Sequence, residues 1–232
     1  AESIPDKQSF RKMLSSAKRL KFLGLKESSN ARLTRNEPGI LEVLPPTIPL
    51  TSCCFNGYVN LRPKSLEYIL RNYSDTLEYL NLSDTILGLT NMVPMVTLNL
   101  PTLKRMKVFL ASVIDHEQLV DWGVLVAVLK LMPNLRVVDL SNNHYLTRQG
   151  VDIVGVLAEN CPLLEEVHLT KCAIPSQKLV NLKKLKHLKR LFLGNINTGS
   201  SCWEAETLDR WADCFKCLSH NVIPHLEELE YL

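Results

Sequence analysis

Apolar residues recur along the chain in a six-residue pattern, apolar at the first, fourth and sixth positions. Leu135-Arg136-Val137-Val138-Asp139-Leu140 and Leu164-Glu165-Glu166-Val167-His168-Leu169 are its clearest copies. Apolar and polar residues alternate over the last part of each, which predicts a short strand with one face buried. Between the two copies lies Gly150-Val151-Asp152-Ile153-Val154-Gly155-Val156-Leu157-Ala158, apolar at helical spacing. The unit is therefore strand, helix, strand. Further matches begin at Leu20, Ile48, Leu77, Leu103, Leu188 and Leu226. The starts follow one another at similar intervals, the shortest from Leu164 to Leu188 and the longest from Leu188 to Leu226.

Self-similarity at this period is the signature of leucine-rich repeats. The expected fold is α/β: a leucine-rich repeat solenoid, or horseshoe, of about eight irregular units. Its parallel sheet would line the concave side and its helices the convex side, because no unit can cover its own apolar face. Phe10, Met13, Leu14 and Ala17 predict an amphipathic helix, so residues 1–19 are expected to form an N-terminal helical cap and residues 20–232 the repeat domain. Other helices are expected around Leu66–Leu70 after Pro63, over Leu119–Leu131 up to Pro133, over Gln177–Leu185 and over Trp211–Leu218. Pro38, Pro45, Pro46 and Pro49 forbid a long helix in the segment before the second strand.

The polar positions of each pattern point out of the sheet, toward any partner. On this register Lys104, Arg105 and Lys107 of the fourth strand and Arg136 of the fifth form a basic block beside Tyr79. Val137, His168, Arg190 and Phe192 extend the same face, and the last strand offers Glu227, Glu228 and Glu230. Aromatic and Arg side chains are the usual energetic centres of interfaces. The residues expected to bind a partner are thus Tyr79, Lys104, Arg105, Lys107, Arg136, Val137, His168, Arg190 and Phe192. A basic block suits an acidic or phosphorylated protein segment.

Composition narrows the alternatives. The chain has 232 residues, 46% of them hydrophobic, with 27 basic against 24 acidic residues. That balance does not itself point to nucleic acid or an anionic membrane. Charged or polar residues interrupt every apolar run below bilayer-spanning length. The first residues show no leader pattern, and the seven cysteines sit mostly within apolar patterns. Reduced thiols in the cytoplasm or nucleus are therefore expected.

Cys214, Cys217, His220 and His225, with Cys202 upstream, have ligand types suited to zinc. Cys214 and Cys217 equally fit the buried face of a helix, so no metal or cofactor is expected. No nucleophile or phosphate-binding motif occurs. His116 and His144 fall between predicted elements, where solvent explains them, so no enzyme is expected. The run Lys178, Lys183, Lys184, Lys186, His187, Lys189, Arg190 is the densest positive segment and the basis of a nucleic-acid alternative.

At Glu159-Asn160-Cys161-Pro162-x-Leu164-Glu165-x-Val167-x-Leu169-x-x-Cys172, a helix ends in Asn-Cys-Pro and a strand follows. A cysteine then stands three residues past the last leucine of that strand. This resembles the cysteine-containing repeats of F-box leucine-rich proteins, and Leu131-Met132-Pro133-Asn134-Leu135 is a similar junction. The resemblance implies a protein–protein adaptor or scaffold, in its specific form the substrate receptor of a ubiquitin ligase, although no F-box pattern precedes residue 20. The irregular repeats also resemble the leucine-rich domains of messenger-RNA export receptors, which would imply RNA or a ribonucleoprotein partner.

Overall fold

The computed structural model describes residues 7–26, 40–58, 61, 63–85, 101–112, 122–143, 152–172, 174–194 and 206–232. Seven three-residue strands form one sheet in chain order, each parallel to the next. They are β1 (Phe22–Gly24), β2 (Ser52–Cys54), β3 (Tyr79–Asn81), β4 (Val108–Leu110), β5 (Val137–Asp139), β6 (Glu166–His168) and β7 (Arg190–Phe192). The central residue of every strand is buried: Leu23, Cys53, Leu80, Phe109, Val138, Val167 and Leu191. Its two neighbours point the other way, as the pleat requires. An isolated bridge from Arg190 to Tyr231 carries the sheet one position further.

Parallel neighbours need a crossover, and helices supply most of those described. They are α1 (Lys7–Ser16), α2 (Pro63–Asn72), α3 (Trp122–Leu129), α4 (Ile153–Asn160), α5 (Ser176–Leu179) and α6 (Glu206–Cys217). Pro63 occupies the first position of α2, where its missing N–H costs nothing. Helix α5 tightens into a 3₁₀ turn over Val180–Lys184, and α6 runs on through a π turn (Leu218–Val222) and a 3₁₀ turn (Ile223–His225). Buried leucines of the helices and strands form one continuous core, and Leu14 of α1 belongs to it. The fold is the α/β leucine-rich repeat solenoid expected from the pattern.

Three expected registers are corrected. In β4 the residue paired with Leu80 is Phe109, so the unit begins at Met106 and not at Leu103. In β2 the partner is Cys53, and the unit begins at Leu50, which is wholly buried, not at Ile48. The last unit shifts likewise: Tyr231 pairs with Arg190, which makes Leu229 its first residue and not Leu226. The corrected starts are Leu20, Leu50, Leu77, Met106, Leu135, Leu164, Leu188 and Leu229, and the three steps from Leu77 to Leu164 are now equal in length. The ambiguity has a physical source. An apolar residue also stands three positions before several starts, in the tight turn that launches the strand. The N–H groups of Met106, Leu135, Leu164, Leu188 and Leu229 donate to the carbonyls of Leu103, Met132, Cys161, Leu185 and Leu226. Both residues of each pair are apolar, so the motif overlaps itself.

Beyond β2, β3, β5 and β6 the chain turns through one left-handed residue. Gly57, Asp84, Asn142 and Lys171 occupy the same place in four units, with φ of 67°, 57°, 63° and 56°. Their N–H groups bond to the next unit at Ser83, Ser112, Thr170 and Gly194. Before β2 the described chain forms a 3₁₀ turn (Ile40–Val43) and then runs past Pro45, Pro46 and Pro49, and side chains on and just after α2 satisfy carbonyls there. Tyr68 Oη donates to Leu44 O at 2.5 Å, Tyr73 Oη to Pro45 O at 2.8 Å and Thr76 Oγ1 to Leu50 O at 2.7 Å. These bonds offset the cost of burying backbone outside a helix or sheet.

Candidate functional site

The open face of the sheet carries three columns of side chains, fixed by the register. The first column stands just before each strand and includes Glu78, Lys107, Arg136, Glu165 and Lys189. The second is the first strand residue: Phe22, Ser52, Tyr79, Val108, Val137, Glu166, Arg190 and then Tyr231. The third is the last strand residue: Gly24, Cys54, Asn81, Leu110, Asp139, His168 and Phe192.

The first column is an ion ladder. Lys107 Nζ lies 2.8 Å from Glu78 Oε2, Arg136 pairs with Glu165, and Lys189 Nζ lies 3.4 Å from Glu165 and 3.9 Å from Glu228. The hydrogen bond from Lys107 holds the Glu78 carboxyl below its ordinary range. Partial burial pushes Glu165 and Glu166 up, yet the hydrogen bonds they accept carry both below it: Arg136 and Lys189 donate to Glu165, His168 and Arg190 to Glu166. Cross-strand pairs of this kind each contribute roughly 0.2–1 kcal/mol.

The basic block expected from sequence is therefore divided. Lys107 and Arg136 stand in adjacent units, each neutralised by a carboxylate of a neighbouring unit. Lys104 and Arg105 lie on the turn before β4, not on the strand, at the place Pro133 and Asn134 hold one unit on. Asn134 Nδ2 donates to the Lys104 carbonyl at 2.8 Å.

The middle of the face is apolar. Tyr79, Val108, Leu110 and Val137, on the adjacent strands β3, β4 and β5, are each half-buried. Toward β7 the face becomes aromatic. The rings of His168 and Phe192 stack at 4.1 Å and 15°, and Tyr231 tilts over Phe192 at 5.2 Å. Glu166 ties this end together: His168 Nε2 lies 2.5 Å from one oxygen, and Arg190 Nε donates to the other at 2.6 Å. Phe22 is 58% exposed at the opposite end. Its ring lies over Gly24, where a β-carbon would come within 3.1 Å of it.

The structure thus brings together Tyr79, Val137, His168, Arg190 and Phe192 on one surface, with Lys107 and Arg136 along its margin. It adds Val108, Leu110 and Tyr231, which the apolar pattern alone does not place there. The equal steps from Leu77 to Leu164 are the signal that reveals the first two. The metal candidates do not converge. Cys214 is buried, Cys217 Sγ donates to Ser176 O at 3.2 Å, His220 Nδ1 lies 3.0 Å from Lys216 O, and His225 is exposed on the following 3₁₀ turn. Among the described residues no three His, Cys, Asp or Glu side chains are grouped to hold a metal. Cys202, His116 and His144 lie outside the described residues.

The positive run 178–190 is also divided. Lys178 lies 3.4 Å from Asp152, His187 3.2 Å from Glu228, and Lys189 and Arg190 belong to the sheet pairs, while Lys183 and Lys184 stay exposed. Burial pushes the thiols of Cys53, Cys161 and Cys172 up to about 12, which makes them inert at neutral pH. No described helix is long and apolar enough to cross a membrane.

No protein-family model matches the chain, and no curated protein matches it. Solved structures do. The leucine-rich repeat-containing protein LegL7 of Legionella pneumophila is 18% identical, with a TM-score of 0.48 over 83% of this chain and 60% of that one. TLR13, solved as its complex with ssRNA13, is 17% identical, with a TM-score of 0.40 over 78% of this chain and 20% of that one. An internalin, InlF, of Listeria monocytogenes is 12% identical, with a TM-score of 0.22 over 62% and 55%. The chain spans less than two thirds of the length of each of these three structures.

Proposed function

We propose that this chain is a non-enzymatic adaptor that holds a protein or peptide partner on the open, concave face of its sheet. The observation that carries the reading is the half-exposed apolar patch of Tyr79, Val108, Leu110 and Val137, with the His168–Phe192–Tyr231 stack beyond Asp139 and Glu166 on the same face. An apolar patch and an aromatic cluster on one open face mark a surface that something covers. Rigid aromatic side chains make good anchors, because they bury much area and lose little conformational entropy. The likeness of residues 159–172 to F-box repeats supports an adaptor of substrates, in its specific form a ubiquitin-ligase receptor.

The nucleic-acid reading rests on exposed Lys183 and Lys184, away from this patch, and on the likeness to export-receptor repeats. One experiment separates the two. Affinity capture from lysate is run at low and high salt, with and without nuclease, on the wild type, Val137→Glu and Lys183→Glu/Lys184→Glu. An adaptor keeps its protein partner after nuclease treatment and loses it in Val137→Glu alone. Capture abolished by nuclease and by the lysine variant, with a steep salt dependence, overturns the reading in favour of nucleic acid.

A further inference from the structure

Four cations of the open face are already satisfied. Lys107, Arg136, Lys189 and Arg190 all pair with carboxylates of neighbouring units. An acidic or phosphorylated segment would have to displace Glu78, Glu165 or Glu166 to reach them, exchanging one ion pair for another.

Asp139 is in the opposite position. It lies in the third column between Leu110 and His168, on the same strand as Val137. Its Oδ1 accepts the Ser141 N–H at 2.8 Å, and no cationic side chain among the described residues pairs with it. The turn does not require the charge: two units earlier the neutral amide of Asn81 accepts the Ser83 N–H at 2.9 Å in the same way. The neighbouring imidazole of His168 is already engaged by Glu166. Asp139 therefore leaves a carboxylate oxygen and a negative charge at the edge of the apolar patch.

Resting on the open-face reading above, we infer that the centre of this face takes a peptide segment in which an apolar side chain covers Val108, Leu110 and Val137 while an adjacent Lys or Arg meets Asp139. Burial of the patch supplies the attraction, and the carboxylate fixes register and selects charge. This reverses the acidic partner that the run of Lys and Arg in the sequence suggests.

The test uses phage-displayed random twelve-residue peptides selected on the immobilised full chain. Enriched peptides are expected to place a Lys or Arg beside an apolar residue. Their synthetic copies should bind Asp139→Asn about tenfold more weakly and lose binding to Asp139→Lys. Asp139→Asn keeps the oxygen that Ser141 needs, so its fold is preserved, and circular dichroism with the thermal midpoint checks this for every variant. Selection repeated on Asp139→Lys should enrich Asp or Glu at the same place. Peptides that are lost on Val108→Ser but are acidic or neutral and indifferent to Asp139 overturn this inference alone. Peptides indifferent to both substitutions, or no enrichment at all, overturn the open-face reading with it.

Discussion

Four residues of four units hold the same left-handed backbone, but with unequal ease. Gly57 adopts it freely, and the short polar side chains of Asp84 and Asn142 tolerate it, whereas Lys171 has no such compensation. Lys171→Gly is expected to raise unfolding stability by about 1 kcal/mol, and Lys171→Val to lower it by more. Urea unfolding midpoints check both. A second residue-scale effect is set by the buried thiols. Cys53, Cys161 and Cys172 titrate near 12 in the folded chain, above their ordinary value of 9.0. The unfolded thiols ionise first as pH rises, so their contribution is fully present below about 9 and is lost progressively between 9 and 12. Unfolding free energy measured by urea from about pH 8 to 11 should fall with pH. The fall should be shallower in the triple Cys→Ala variant.

Among the elements, α4 shows how a cap ties two units together. Asp152 Oδ1 accepts the Gly155 N–H at 2.9 Å, while its Oδ2 accepts Asn181 Nδ2 at 3.0 Å from the next unit. A β-carbon at Gly155 would stand 2.8 Å from that carboxylate, so glycine keeps the cap in place. Asp152→Ala is expected to cost about 1–2 kcal/mol and Asp152→Asn less than half of that, because the amide oxygen can still cap. Chemical denaturation of both variants decides it.

The elements also show what a single sequence can reveal. Strands β1, β3, β5, β6 and β7 fall where the pattern puts them, because Leu77, Leu135 and Leu164 keep to one repeat period and their strands alternate cleanly. The pattern sets β4 one turn too early, because Leu103 and Met106 are both buried and either can open the motif. Periodicity gives burial, but it cannot tell the launching turn from the strand. That slip moves Lys104 and Arg105 onto the face and hides Val108 and Leu110. Charge pairing is less legible still. Lys107 and Glu78 are a whole repeat apart in sequence and 2.8 Å apart in space, a closeness that only the register supplies.

At the scale of the whole molecule, each unit leans on its neighbours, and the sheet keeps one face free of the described helices. That face is balanced in charge along its margin, apolar at its centre and aromatic toward β7. Such a surface offers burial first and charge selection second. Site-specific photo-crosslinking tests this most directly, with p-benzoylphenylalanine placed at Val108 on the open face or at Lys64 on the exposed side of α2. The expected result is a discrete protein adduct from Val108, resistant to nuclease and competed by the selected basic-apolar peptide, with none from Lys64. Adducts from Lys64 alone, or from Val108 only to nucleic acid, would contradict a protein partner on the open face.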